Sequence, residues 1–185
     1  MNTVMILAGG IGARMGADIP KQFIKILDKP IIAYTLEIFE NYEDIDAIEI
    51  VCVHGYEKYL KEIIKEYNFE KVRWICEGGS TFSLSVYQGL KNLKNVLSSN
   101  DIVIIHMGVA PFIGNDLIDD AIRVAKEKGN SILAIYVWVL ETQKNIVQRA
   151  FCGKQLQVLI LLKRSILVKF WDYMIERKRK VYLIL

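Results

Sequence analysis

The stretch Leu7-Ala8-Gly9-Gly10-Ile11-Gly12-Ala13-Arg14-Met15-Gly16 is followed closely by Pro20-Lys21-Gln22-Phe23. Glycines let the backbone come close to a ligand, so successive N–H groups of such a loop can converge on phosphate oxygens. Arg14 and Lys21 stand behind the loop as two cations. They suit a reaction in which negative charge builds on a phosphorus centre and on departing pyrophosphate. Started at Gly10, the dinucleotide fingerprint G-x-G-x-x-G fails, because Met15 stands where its third glycine belongs. The adjacent Gly-Lys of a Walker loop is missing as well. Specificity comes from the combination of a glycine loop, a buried strand directly before it and two cations at fixed positions behind it.

Those residues need strands and helices to hold them, and the chain alternates the two patterns. Val4–Leu7 is a continuous apolar run, as expected of a strand buried on both faces. Ala47–Val53, Val72–Cys76, Ile102–His106 and Ile132–Val139 read as four more strands. Ile31–Phe39 has helical spacing and begins after Pro30, a residue suited to a first turn. Tyr56, Tyr59, Leu60, Ile63, Ile64 and Tyr67 form one apolar helical stripe. Ser83–Leu93 and Asn115–Lys128 complete the helices, the last ending at Gly129. Alternation of this kind implies mainly parallel strands joined by helical crossovers, hence an α/β, Rossmann-like sheet with helices on both faces. In such sheets ligands bind beyond the carboxyl ends of the strands. Ala8–Gly16, Gly78–Ser85 and His106–Pro111 all fall there.

In combination these stretches resemble the cytidylyltransferases that act on methylerythritol phosphate and ribitol phosphate. The glycine loop with Pro20-Lys21-Gln22-Phe23 carries the resemblance first. Gly78-Gly79-Ser80-Thr81 leading to Ser85-Val86-Tyr87-x-Gly89-Leu90 carries it further, as does Val103-Ile104-Ile105-His106-x-x-Val109-x-Pro111-Phe112-Ile113. Glu141-Thr142-x-Lys144 is a weaker echo, and the likeness covers roughly residues 1–144. It implies a nucleotidyltransferase fold and the transfer of CMP from CTP to a polyol phosphate, releasing pyrophosphate, within isoprenoid or teichoic acid biosynthesis. Gly9, Gly10 and Gly12 would line the CTP phosphates, with Ala8 also in the nucleotide site, and Arg14 and Lys21 would stabilise the transition state. Gly78, Gly79 and Ser80 would meet the cytosine edge, Ser85 the ribose, and Thr142 the phosphate of the second substrate. Ala8-Gly9-Gly10 and Val53-His54-Gly55 lean toward the ribitol type.

The departures matter as much. An acidic metal ligand after His106 and an Arg before Pro111 are replaced by Met107 and Ala110, and an Arg and an acidic residue by Phe82 and Leu84. A thioether is no ligand for hard Mg²⁺, which takes oxygen donors, so Mg²⁺ binding is expected to be weakened. Asp101 and Asp116 are remote substitutes. Nothing after Lys144 fits the family, so the C-terminal part is atypical or truncated. Two competing readings follow: a nucleotide-binding relative that has lost turnover, and a nucleotidyltransferase for another sugar phosphate.

At 185 residues, with 52% hydrophobic and 24% charged, the chain suits a single globular domain over 1–185. No apolar run reaches the roughly 20 residues that span a bilayer, and the start lacks a basic secretory segment. A cytoplasmic location is expected. Cys52, Cys76 and Cys152 form no CxxC pair and are read as reduced packing residues. Residues 1–144 hold 15 Lys/Arg against 19 Asp/Glu, whereas 145–185 hold 9 against 2. The basic run Arg177–Lys180 is read as a solvated helix end rather than a nucleic-acid or membrane contact. Ile135–Leu140 and Val158–Leu162 carry more apolar surface than a short domain readily covers. Residues 136–162 are therefore expected to form a dimerisation arm, the partner being a second copy.

Overall fold

The computed structural model describes residues 1–11, 16, 18–132, 135–143, 146–155 and 160–163, those from 132 onward as backbone alone. In chain order the elements are β1 (Asn2–Ala8), a 3-10 turn (Lys21–Phe23), β2 (Lys25–Ile26), β3 (Lys29–Pro30), α1 (Ile31–Glu40), β4 (Ala47–Cys52), α2 (Glu57–Glu66), β5 (Val72–Glu77), α3 (Phe82–Leu93), β6 (Ile102–Met107), α4 (Asn115–Lys128), β7 (Asn130–Ile132), β8 (Ile135–Gln143), β9 (Ile146–Gln155) and β10 (Ile160–Lys163). The main sheet has the order β5-β4-β1-β6-β10-β7. β1 pairs in parallel with β4 on one side and β6 on the other. The chain moves one way from β1 through β4 to β5 and then crosses to β6, so the order reverses between β1 and β6. Crevices at such a reversal are where open α/β sheets bind ligands.

Alternation along the strands explains why both faces are covered. Val4 and Ile6 of β1, Ile48 and Ile50 of β4 and Ile104 of β6 join a layer with Ile32, Leu36 and Phe39 of α1, Leu60 and Ile63 of α2 and Ile118 and Ile122 of α4. Met5, Leu7, Val51, Val103 and Ile105 face the other way and pack with Val86, Leu90 and Leu93 of α3. Gly89 is what allows α3 so close: a β-carbon there would stand 2.7 Å from Met5 and 2.9 Å from Val51. The helix ends follow local chemistry. Pro30 is the N-cap of α1 at φ −60°, Thr81 Oγ1 accepts the Leu84 N–H at 3.2 Å to cap α3, and Gly129 closes α4 in the left-handed region at φ 90°.

Two sequence expectations are corrected. Ile132–Val139 is not one strand: β7 ends at Ile132 in the main sheet, and β8 belongs to a separate two-stranded sheet with β9. Part of the expected arm, Ile160–Leu162, lies inside the main sheet, where β10 runs antiparallel between β6 and β7. The physical reason is shared. β6 offers an open row of hydrogen-bonding groups on the side away from β1, and a returning antiparallel strand fills it. Among the described residues, no helix is long and apolar enough to cross a membrane.

Candidate active site

A cleft of about 610 Å³ opens at the carboxyl ends of β1, β4, β5 and β6. Its walls are Gly9, Gly10 and Ile11 after β1, Val53 and His54 after β4, Glu77 to Thr81 after β5, Phe82 and Ser85 of α3, and Met107 at the end of β6. Two glycine loops meet there. A β-carbon on Gly78 would lie 3.2 Å from the Gly9 Cα and 3.2 Å from the Cys52 carbonyl, so a side chain there would push these loops apart by a few tenths of an ångström. The Gly78 N–H donates to that Cys52 carbonyl at 2.7 Å, tying the second loop to β4. A β-carbon on Gly79 would collide with Leu84 in the first turn of α3.

Ser85 is buried, and its hydroxyl accepts the Gly79 N–H at 3.1 Å and sits 3.2 Å from the Gly79 carbonyl. It thus shapes the turn that Gly78, Gly79 and Ser80 make. Ala8 is buried at the end of β1, and its carbonyl accepts the Val53 N–H at 3.0 Å and the Gln22 Nε2 at 2.6 Å. Gly9 and Gly10 reach the cleft, as expected. Lys21 lies half-exposed on the 3-10 turn and does not line the cleft. Gly12, Arg14 and Lys144 lie outside the described residues, and Thr142 is described only as backbone in β8.

On the β6 side, Met107 is part of the cleft wall, so the position expected to hold a carboxylate holds a thioether. His106 is buried beside Phe39, ring centroids 5.1 Å apart, and burial pushes its pKa down. Its Nε2 lies 2.9 Å from the Ala110 carbonyl while Nδ1 is buried without a partner, which assigns the proton to Nε2. That bond and the one from Thr35 Oγ1 to the Gly108 carbonyl, 3.1 Å, hold the loop after β6. Asp101 is corrected as a substitute metal ligand. It lies before β6, at the opposite end of the strand from the cleft, and accepts from the Met1 ammonium at 2.7 Å and the Ser98 N–H at 2.6 Å. Asp116 is exposed in the first turn of α4.

Sequence reading missed the pair His54 Nδ1 and Glu77 Oε1, 3.0 Å apart at the tips of β4 and β5. Together with Glu57 they gather their ligand atoms within 4.8 Å of one another. The available signal was that His54 follows β4 and Glu77 ends β5, two parallel neighbours. Cys52 and Cys76 are free thiols, both pushed up to about 12 chiefly by burial. They are packing residues rather than nucleophiles.

Cleft, glycine loops and strand order define a Rossmann-like nucleotidyltransferase fold. The Francisella tularensis 2-C-methyl-D-erythritol 4-phosphate cytidylyltransferase superposes with a TM-score of 0.71 at 27% identity, over 96% of this chain and 80% of that one. The 4-diphosphocytidyl-2C-methyl-D-erythritol synthase of Anaerococcus prevotii shares the fold, with a TM-score of 0.71 at 21% identity over 98% of this chain and 78% of that one. The chain belongs to the 2-C-methyl-D-erythritol 4-phosphate cytidylyltransferase (IspD) family, whose pattern matches residues 2–150. It is 36% identical over 148 residues to a ribitol-5-phosphate cytidylyltransferase of Lacticaseibacillus paracasei, covering 78% of this chain and 63% of the relative. It is 45% identical over 140 residues to a 2-C-methyl-D-erythritol 4-phosphate cytidylyltransferase of Clostridioides difficile, covering 74% and 56%. The chain thus spans less than two thirds of the length of these curated relatives.

Proposed function

We propose that this chain is a cytidylyltransferase that moves CMP from CTP to a polyol phosphate, ribitol 5-phosphate or 2-C-methyl-D-erythritol 4-phosphate. A phosphate oxygen of the polyol attacks the α-phosphorus of CTP, the bond to pyrophosphate breaks, and a CDP-polyol remains. The observation that carries this is the crossing of the two glycine loops at Gly9 and Gly78 around one cleft at the strand-order reversal. In this reading Ala8, Gly9, Gly10 and Gly12 cradle the triphosphate, and Gly78, Gly79 and Ser80 read the cytosine edge. Ser85 keeps a lone pair for the ribose. Arg14 and Lys21 neutralise the charge that builds on the transferred phosphorus and on pyrophosphate. Thr142 meets the polyol phosphate. The protein positions and neutralises, with no covalent intermediate of its own. Pyrophosphate release from CTP is the test, run with each polyol phosphate in turn. Release with either supports the transfer, and silence with both, while CTP still binds, favours a relative that has lost turnover, the reading that Met107 and Ala110 support.

At the end of β6 the described cleft offers a hard cation only the sulfur of Met107, and the carboxylate of its wall, Glu77, lies instead with His54 and Glu57 at the tips of β4 and β5. No step above therefore runs through Mg²⁺. Met107→Asp is expected to give CTP binding a Mg²⁺ dependence at millimolar concentration that the parent lacks or shows only weakly. Equal titrations for both proteins would contradict that.

We place the protein in the cytoplasm, where CTP is available and free thiols persist, with no nucleic-acid or membrane partner. A homodimer completes the reading. Among the described residues, β8 and β9 pair with each other and not with the main sheet, as an arm reaching a second copy would. Light scattering at micromolar concentration should give twice the chain mass, and a clean monomer mass would refute the dimer.

A further inference from the structure

We propose that Gln22 is a positioning residue for Lys21, an inference that rests on the transfer reading above. Lysine is a point charge on a flexible four-carbon stem, so its value beside a phosphate depends on how firmly its backbone is held. The chain leaves β1 at Ala8, passes through the glycine loop and returns at the 3-10 turn that bears Lys21. At that neck the Gln22 side chain, 1% exposed, donates from Nε2 to the Ala8 carbonyl at 2.6 Å. The acceptor is the last carbonyl before Gly9, and it also takes the Val53 N–H, so one oxygen registers the turn, β1 and the end of β4 together.

The residues on either side fix the rest. Pro20 is buried at φ −58°, and the Phe23 N–H donates back to its carbonyl at 2.9 Å. Phe23 is fully buried, stacked on Tyr56 at 5.2 Å and edge-on to Tyr59 at 5.4 Å, which pins the turn to the start of α2. Apolar packing sets how deep the turn sits, but it is non-directional. The Gln22 bond supplies the direction, and an apolar residue would satisfy the burial without it. A buried primary amide at this place is thus explained by register between the Lys21 backbone and the glycine loop.

Gln22→Met keeps length and burial and removes the donor. Hydrogen exchange over residues 9–11 and 18–23 needs no substrate, and is expected to be faster in Gln22→Met with the rest of the chain unchanged. Unaltered protection there would overturn the inference. The second measurement is a cycle of CTP affinities for the parent, Gln22→Met, Lys21→Ala and the double variant. Gln22→Met alone should weaken binding on the order of 10-fold, as a displaced charge does, and should add little once Lys21 is gone. Additive losses, or a Gln22→Met protein that binds CTP like the parent, overturn the positioning role. A parent that binds no CTP overturns the transfer reading and this role with it, while the exchange measurement still reports the bond.

Discussion

Lys21→Ala is expected to weaken CTP binding or turnover on the order of 10²-fold while leaving the melting temperature almost unchanged. Charge-stabilising groups aimed at a phosphoryl transition state have effects of that size. The stability side follows from its place: Lys21 is half-exposed on a turn that Pro20, Gln22 and Phe23 hold through their own buried groups. Substitutions at such positions usually cost about 0.5 kcal/mol or less. Calorimetric titration with CTP beside a thermal melt separates the two effects. Equal CTP affinity in mutant and parent would remove Lys21 from the site.

Glu49→Gln should change how stability depends on pH. Glu49 is fully buried in β4, beneath α3. Its Oε1 accepts the Asn92 amide at 2.9 Å, while Oε2 is buried without a partner. Burial pushes its pKa from the usual 4.5 up to about 8, against smaller opposing effects of Asn92 and the Cys76 thiol. The folded protein therefore keeps the proton that the unfolded chain releases. The stabilising contribution is complete below about 4.5 and is lost as pH rises toward about 8. Glutamine resembles the protonated acid at every pH. The variant should match the parent near pH 4 and exceed it above pH 8 by up to a few kcal/mol, because each tenfold difference in proton affinity between the folded and unfolded chain is worth about 1.4 kcal/mol. Denaturant melts across this range provide the check, and parallel profiles would show that Glu49 is not held neutral. Cys76 faces Glu49 from β5, and its thiol, pushed up to about 12, stays protonated through the window.

Much of the architecture was legible because buried parallel strands declare themselves as apolar runs. Val4–Leu7, Ala47–Val53 and Ile102–His106 fall within a residue or two of β1, β4 and β6. α4 was legible from its end at Gly129. The β2–β3 hairpin was not, since its turn is Leu27-Asp28, both with positive φ, at 50° and 64°, where Asn-Gly or Asp-Gly is the usual signal. The place of β10 was hidden for another reason: four residues, Ile160–Lys163, say nothing about which open sheet edge they will fill.

For the site, Gly9, Gly10, Gly78, Gly79 and Ser80 were legible as a set, because glycines after buried strands point to one end of the sheet. The Ser85 bond to Gly79, the Gln22 bond to Ala8 and the burial of Glu49 were not. Each joins positions distant in sequence or in adjacent elements, and side-chain direction at that level is fixed only by packing. Met107 was legible as a departure, and its position in the cleft wall gives that departure its meaning.

Calorimetric titration of the chain with CTP, UTP, GTP and ATP decides whether the cleft is a cytidine nucleotide site. If the crossed loops of Gly9 and Gly78 form a cytidine nucleotide site, CTP binds with the highest affinity, UTP more weakly, and the purine nucleotides least of all. Equal binding of all four, or tighter binding of ATP or GTP, would contradict a site built to read cytosine.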